Sequence, residues 1–232
     1  MTPTPSLSVF FPAYNDRDSI GALVEAADRT ARELTPDYEI IVVDDGSSDG
    51  TAQVLEELTR RYDRLRVLTH PQNRGYGGAL RSGFGACQNE LVFYTDGDGQ
   101  YDPSELRRLW GALTEGVDVV QGYKARRSDP LSRVVTGALY EAVVRRVFRL
   151  VVRDVDCDFR LIRRSVLDRV GLASDSGAIC VEFVRKAQDA GARFVEVPVR
   201  HYPRQHGRSQ AFRPRQILHM LRDLAALRRE LA

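Results

Sequence analysis

The sequence predicts a single α/β domain built on a mostly parallel central sheet flanked by helices. Three observations carry this expectation. Strand and helix patterns alternate through the first half of the chain, the strands are continuously apolar, and polar clusters follow directly on several strand ends. Repeated βα units with unbroken apolar strands belong to parallel sheets covered on both faces. Ligands of such sheets sit beyond the carboxyl ends of the strands, so the polar residues just after each strand are the ones to inspect.

Each element follows from its own pattern. Leu7–Pro12 reads as a buried strand, and Ser19–Leu34 as a helix with Ile20, Leu23, Val24 and Ala27 on one face. Tyr38–Val43 is the next strand, and Asp49 caps a helix bearing Val54, Leu55, Leu58 and Tyr62. Strand Leu65–Thr69, a glycine-rich turn and helix over Asn73–Cys87, strand Glu90–Thr95, helix Pro103–Leu113 and strand Val117–Gln121 complete residues 7–121. The second half is less regular. Tyr123–Pro130 is a basic, turn-rich loop leading into helix Leu131–Val151, and Asp158–Ile162 is a short strand. Ile179, Phe183, Ala187 and Ala190 mark a helix face, Arg193–Val199 a last strand, and Tyr202–Arg213 a polar basic loop. No repeat, low-complexity tract or linker interrupts the chain, so residues 1–232 form one domain: a half over 7–121, a second over 122–212 and an amphipathic helix over 213–232.

Composition narrows the function classes. With 232 residues and 43% hydrophobic content the chain can build a real core, which excludes disorder as its main state. No apolar run approaches the roughly 18 residues that cross a bilayer, and Met1–Ser8 lacks a signal-peptide pattern. Cys87, Cys157 and Cys180 are scattered and odd in number, which argues against a disulfide scaffold and for three core residues in a reducing cytoplasm. Charge is divided: residues 1–121 carry 11 Arg against 20 Asp and Glu, net −9, while residues 122–232 carry a net +11. An acidic half suits a metal, and a basic half suits phosphate or an anionic surface.

Three strand ends terminate in polar clusters: Pro12-Ala13-Tyr14-Asn15-Asp16, the run Asp44 to Gly50, and Asp96-Gly97-Asp98-Gly99-Gln100. Each alone reads as a turn, but in a parallel sheet all three share one edge and their side chains converge. Asp96 and Asp98 place like charges close together at that edge, an arrangement best tolerated beside a cation. Hard oxygen ligands of this kind suit Mg²⁺ or Mn²⁺ held jointly with substrate phosphates. The run Asn73 to Ala79 has the spacing G-x-G-G after the third strand, which fits a nucleotide pocket better than a dinucleotide fingerprint.

The ordered set P-A-Y-N-D, V-D-D-G-S-S-D-G-T, N-R-G-Y-G-G-A and D-G-D-G-Q-Y-D-P resembles the family 2 glycosyltransferases of GT-A fold. The later D-F-R-L and V-E-V-P-V-R-H-Y-P-R-Q-H-G-R-S-Q resemble its polyprenyl-phosphate branch, the dolichol-phosphate mannosyltransferase-like enzymes. The resemblance spans roughly residues 7 to 212. It implies that Pro12, Tyr14 and Asp16 line the base pocket, although relatives usually carry Glu at the last position. By the same token Asp45 accepts from the base, Asp96 holds the ribose, and Asp98 and Gln100 bind a divalent cation on the donor diphosphate. Lys124 stands where many relatives carry Arg, Arg133 and Arg204 match residues that grip the acceptor phosphate, and Ser209 lies in the matching G-x-S element. Asp98, Lys124, Arg133 and Arg204 are thereby the implied catalytic set.

The implied reaction is transfer of a sugar from a GDP- or UDP-sugar to a polyprenyl or dolichyl phosphate, with inversion. The cation stabilises the leaving diphosphate, and an acceptor phosphate, already anionic, needs no strong base. The competing enzyme reading, a soluble glycan or small-molecule acceptor, requires a general base that no motif supplies. A non-catalytic nucleotide-sugar sensor is the reading from another class; it binds donor without turnover. Phosphotransfer fails because Gln100 stands where Thr or Val is expected and the D-G-D-G run is not on the first strand. No nucleic-acid partner is expected. Asp154, Asp156 and Asp158 are read as structural, capping or pairing with an Arg, with assistance to catalysis as the alternative; Glu182 as facing the site or pairing with an Arg; His201 and His206 as incidental or on the acceptor side; and His70 and His219 as ordinary surface or partly buried residues. The tail Pro214–Leu231 packs on the domain, lies on a membrane surface on the cytoplasmic side, or docks a membrane partner.

Overall fold

A computed structural model describes residues 4–125, 131–205 and 214–231, with the side chains of 131–136 outside the description. The described residues build one seven-stranded sheet in the order β3-β2-β1-β4-β6-β5-β7. Its strands are β1 (Leu7–Ala13), β2 (Tyr38–Asp44), β3 (Leu65–Thr69), β4 (Leu91–Thr95), β5 (Val119–Lys124), β6 (Phe159–Arg163) and β7 (Phe194–Val199). Every neighbouring pair is parallel except β4–β6 and β6–β5, so β6 alone runs against the rest. The mostly parallel sheet expected from the sequence is what forms.

Alternation along the strands feeds two cores. From β1, Leu7, Val9 and Phe11 point to one face, where they meet Ile20, Leu23 and Val24 of α1 (Ile20–Leu34), Leu55 of α2 (Thr51–Thr59) and Leu109 of α4 (Leu106–Ala112). Phe10 points to the other face, with Ala79 and Leu80 of α3 (Gly75–Ala86), Val144 and Phe148 of α5 (Leu131–Phe148) and Phe183 of α7 (Ile179–Asp189). Both layers are mainly apolar at the sheet, which is why most strands read as hydrophobic runs. A short α6 (Arg164–Leu167) follows β6, and α8 (Pro214–Glu230) packs Leu224 and Leu227 into the second core while Asp223 accepts from the Ser176 hydroxyl at 2.6 Å. Packing on the domain is thus what α8 does with its buried side.

Several boundaries shift for local reasons. Pro103–Glu105 forms a 3-10 turn, with the Asp102 side chain accepting from Ser104 N at 2.8 Å, and the α-helix starts only at Leu106. The loop expected from Tyr123 begins later, because Tyr123 and Lys124 still pair with Pro198 and Val199 of β7. Helix α5 ends at Phe148 rather than Val151; Arg149 sits at φ 52, a left-handed residue that stops the helix. The three cysteines are buried and unpaired, and burial pushes the thiols of Cys87 and Cys157 up to about 12.

Candidate active site

The carboxyl ends of β1, β2 and β4 lie side by side and are stitched together by the polar clusters that follow them. Asp45 N donates to Ala13 O at 2.9 Å, Asn15 N to Ser47 Oγ at 2.9 Å, and Asp16 N to Thr51 Oγ1 at 3.1 Å. Asn15 takes φ 58, a left-handed conformation that Asn tolerates, and so turns the chain back toward β2. The cap expected at Asp49 is not formed: the N-cap of α2 is Gly50 at φ 99, and Asp49, one residue earlier, accepts from Thr51 N at 3.0 Å. The end of β4 presses closest. Gly97 N donates to Pro12 O at 3.2 Å, and a Cβ at Gly97 would lie 2.6 Å from that same carbonyl, so only glycine fits.

Asp45 is buried, and both its oxygens are engaged within the chain. They accept from Arg74 N at 2.8 Å and Gly75 N at 3.0 Å, at the start of α3, and one lies 2.6 Å from His70 Nδ1. His70 Nε2 lies 2.9 Å from Ser82 Oγ. The sequence reads His70 as an ordinary surface or partly buried residue; in the structure it is buried and fixes a carboxylate of the site. The signal for it was available: His70 directly follows β3, at the same sheet edge as the three clusters.

The acidic centre is Asp96, Asp98, Asp16 and Asp158. Burial first, then the neighbouring Asp158 and Asp98, raise Asp96 well above the usual carboxylate range, while the Tyr76 hydroxyl, donating at 2.8 Å, and Lys124 draw it back. Burial raises the pKa of Tyr76 as well, so its hydroxyl keeps the proton it donates. Asp16 is raised to about 6, chiefly by burial and then by Asp98, against the pull of Tyr14 N at 3.0 Å and of Arg204. Asp98 Oδ1 accepts from Gln100 N at 3.0 Å, and its Oδ2 is held by the Arg204 guanidinium. Gln100 Nε2 donates to Tyr202 O at 3.1 Å, which leaves its amide oxygen available.

The reversed strand brings in residues that parallel reasoning does not reach. Because β6 is antiparallel, its beginning lies at the carboxyl edge, and Asp158, just before it, accepts from Tyr94 Oη at 3.3 Å and Cys180 Sγ at 3.1 Å. Arg160 is fully buried behind it, 3.9 Å from Asp158. Lys124 ends β5 at the same edge and pairs with Asp154 at 3.3 Å while donating to Asp156 O at 2.7 Å. Burial works against the Lys124 ammonium, but Asp154 together with Cys157, Asp156 and Asp158 outweighs it and raises the pKa. Lys124 is therefore committed to the 154–156 turn rather than reaching openly toward an acceptor. Glu182 neither faces the site nor meets an Arg: it accepts from Ala173 N and Ser174 N at 2.9 Å each and pairs with Lys186 at 2.8 Å. Tyr14 is exposed at the mouth, and Pro12 is buried beneath it. The Arg133 side chain, His206 and Ser209 lie outside the described residues.

The donor set suits a hard divalent cation. Asp98 offers a carboxylate, Gln100 an amide oxygen, and the charge of Arg204 already stands as a cation on Asp98 Oδ2. Among the described residues no group of three or more His, Cys, Asp or Glu side chains could hold a metal ion by itself.

Comparisons with known proteins bear on the family and the fold. The family model described as glycosyl transferase family 2 matches residues 8–171. An undecaprenyl-phosphate 4-deoxy-4-formamido-L-arabinose transferase of Pseudomonas fluorescens is 32% identical over 224 residues, covering 96% of this chain and 64% of the relative. The Proteus mirabilis protein of the same name is 32% identical over 206 residues, 88% of this chain and 62% of its own. The chain thus spans a little under two thirds of the length of these relatives. Two solved structures share the fold. Glucosyl-3-phosphoglycerate synthase of Mycobacterium tuberculosis, with Mn²⁺, uridine diphosphate and phosphoglyceric acid, has TM-score 0.69 and 19% identity over 97% of this chain and 75% of that one. Mannosyl-3-phosphoglycerate synthase of Rubrobacter xylanophilus has TM-score 0.73 and 17% identity over 97% and 74%.

Proposed function

Because the chain belongs to the family 2 glycosyltransferases, we propose that it transfers a sugar from a nucleotide-sugar donor to a polyprenyl phosphate, inverting the anomeric carbon. The observation that carries this reading is the meeting of Asp96, Asp98 and Asp16 with the cation of Arg204 at the joined ends of β1 and β4. The names of the curated relatives, undecaprenyl-phosphate sugar transferases, support the acceptor class. The uridine diphosphate in the M. tuberculosis structure favours a UDP-sugar over a GDP-sugar.

In this reading the mouth at Pro12, Tyr14 and Asp16 receives the base, Asp45 anchors the wall beside it, and Asp96, aimed by Tyr76, takes the ribose. Asp98 and the Gln100 amide would hold Mg²⁺ or Mn²⁺, which when bound neutralises charge on the departing diphosphate. The bond from the anomeric carbon to the diphosphate oxygen breaks, the electron pair leaves with the nucleoside diphosphate, and an acceptor phosphate oxygen bonds to the opposite face. Arg204, with Arg133 and Ser209 beside it in the sequence-based assignment, orients that phosphate; its planar fork suits bidentate capture. Lys124 acts from behind, fixing the 154–156 turn and adding positive charge near Asp96.

A peripheral seat on the cytoplasmic side of a membrane fits the acceptor. No helix among the described residues is long and apolar enough to cross a bilayer. Yet α5 and the turn after it expose Leu139 (66%), Val143 (52%), Val147 and Val151 at intervals of four, with Arg145, Arg146 and Arg149 also exposed. Apolar and cationic side chains in one stripe suit an anionic lipid surface.

The test is turnover with Mn²⁺ or Mg²⁺ and a panel of UDP- and GDP-sugars, each with and without a short polyprenyl phosphate. Release of nucleoside diphosphate is expected only with lipid, and Asp98→Ala is expected to reduce it at least 100-fold, the scale for removing one charge-stabilising group. Donor binding without lipid-stimulated release would reject the acceptor and favour the sensor reading.

A further inference from the structure

A divalent cation and Arg204 lay claim to the same oxygen. Asp98 is buried, and one of its oxygens is already taken by Gln100 N. The other, Oδ2, is the atom that Arg204 Nη2 holds. A carboxylate oxygen can accept from more than one partner, but a guanidinium on Oδ2 lowers what a divalent cation gains there, because two positive charges at that range repel. Arg204 is also seated incompletely there: its Nε is buried without a hydrogen-bond partner among the described residues, whereas a finished buried ion pair satisfies its donors. Asp16 completes the picture, since its carboxylate feels the negative charge of Asp98 and the positive charge of Arg204 together. If Arg204 left with nothing in its place, two carboxylates would face each other uncompensated.

We propose that Arg204 is the resident counter-cation of Asp98, and that a divalent cation binds by displacing its guanidinium, which then becomes available to the acceptor phosphate. This rests on the reading of Asp98 as the cation ligand given above. The two events are coupled reciprocally: cation binding frees Arg204 and so strengthens phosphate binding, and phosphate on Arg204 strengthens cation binding by the same factor.

Mn²⁺ affinity, read from the free-ion electron paramagnetic resonance signal without nucleotide, tests this in the whole chain. Arg204→Gln removes the competitor and is expected to bind Mn²⁺ about three- to tenfold more tightly than wild type, the range for losing one part-buried ion pair. Arg204→Lys keeps the charge on a shorter stem and is expected to fall between, which preserves the comparison should the Gln variant fold poorly. Asp98→Asn should abolish binding at this site in either background. Equal affinity in wild type and both Arg204 variants, with binding still lost in Asp98→Asn, would overturn the displacement while leaving the cation reading intact. Binding unaffected by Asp98→Asn would overturn both.

Discussion

Asp16 is the residue at which the crowding of charge leaves a measurable trace. Its carboxyl titrates near 3.8 in an ordinary setting and at about 6 in the folded protein, mainly because it is buried and then because Asp98 is near. Between these values the folded chain binds a proton that the unfolded chain has released. Asp16 therefore contributes stability that is fully present below about pH 4, declines as pH rises, and is lost once pH passes about 6. Asp16→Asn removes the ionisable group, and its stability relative to wild type is expected to rise between pH 4 and 7 by on the order of 1–2 kcal/mol, after allowance for the part of Asp16 that water reaches. Urea denaturation at a series of pH values reads this directly, and a difference that stays constant with pH would refute it. The same crowding explains why Asp96 has Tyr76 for a partner. A neutral hydroxyl that keeps its proton can steady a carboxylate among like charges without adding one.

At the scale of elements, α3 shows how closely the site is framed. A Cβ on Gly83 would lie 2.3 Å from the ring of Phe10 in β1, whereas one on Gly85, two residues on, meets nothing within 4 Å. Gly83→Ala is expected to cost about 1–3 kcal/mol by pushing α3 off the sheet. Gly85→Ala is expected to stabilise by about 0.5–1 kcal/mol, because it lowers only the freedom of the unfolded chain. Thermal melts of the two single variants separate these effects, and equal shifts would mean that α3 does not rest on Phe10. The same elements show what the sequence reveals and what it hides. Strands β1 to β4 were legible because apolar runs in a doubly covered sheet stop abruptly at polar clusters, and the convergence of those clusters follows from parallel strands alone. Strand β6 was legible as a strand but not as a reversed one. Its direction depends on pairing with β4 and β5, segments far away in sequence; Arg160, the second residue of this short strand, is held there by Asp158, Tyr94, Gln121 and Val155 O. The engagement of Lys124 with Asp154 stayed hidden for the same reason: long-range polar partners leave no periodicity behind.

For the whole molecule, the division of charge acquires a direction. The half with net −9 supplies the ends of β1, β2 and β4, where acidic side chains gather, and the half with net +11 supplies the end of β5, β6, β7, the Arg204 segment and the exposed arginines of α5. A nucleotide-sugar with its cation and an anionic lipid phosphate would approach these two halves and meet where Arg204 touches Asp98. If α5 rests on lipid, the apolar side chains and the arginines should contribute in ways that salt can separate, since salt screens charge over about 10 Å at 0.1 M and leaves apolar burial untouched. The chain is expected to co-sediment with vesicles containing phosphatidylglycerol and much less with neutral phosphatidylcholine vesicles. Adding 0.5 M NaCl should weaken the interaction about tenfold or more, since each basic residue near an anionic surface contributes about 1 kcal/mol at low salt. Leu139→Glu combined with Val143→Glu replaces exposed apolar groups with like charges facing the lipid, and should abolish binding while leaving the melting temperature close to that of wild type, because neither side chain supports the core. Vesicle binding that survives this double change would place the lipid-facing surface elsewhere. Binding lost by it, with nucleotide-sugar affinity unchanged, would put α5 between the membrane and the acceptor half, so that a phosphate carried at the bilayer surface is delivered toward the basic side of the sheet edge while the donor enters from the acidic side.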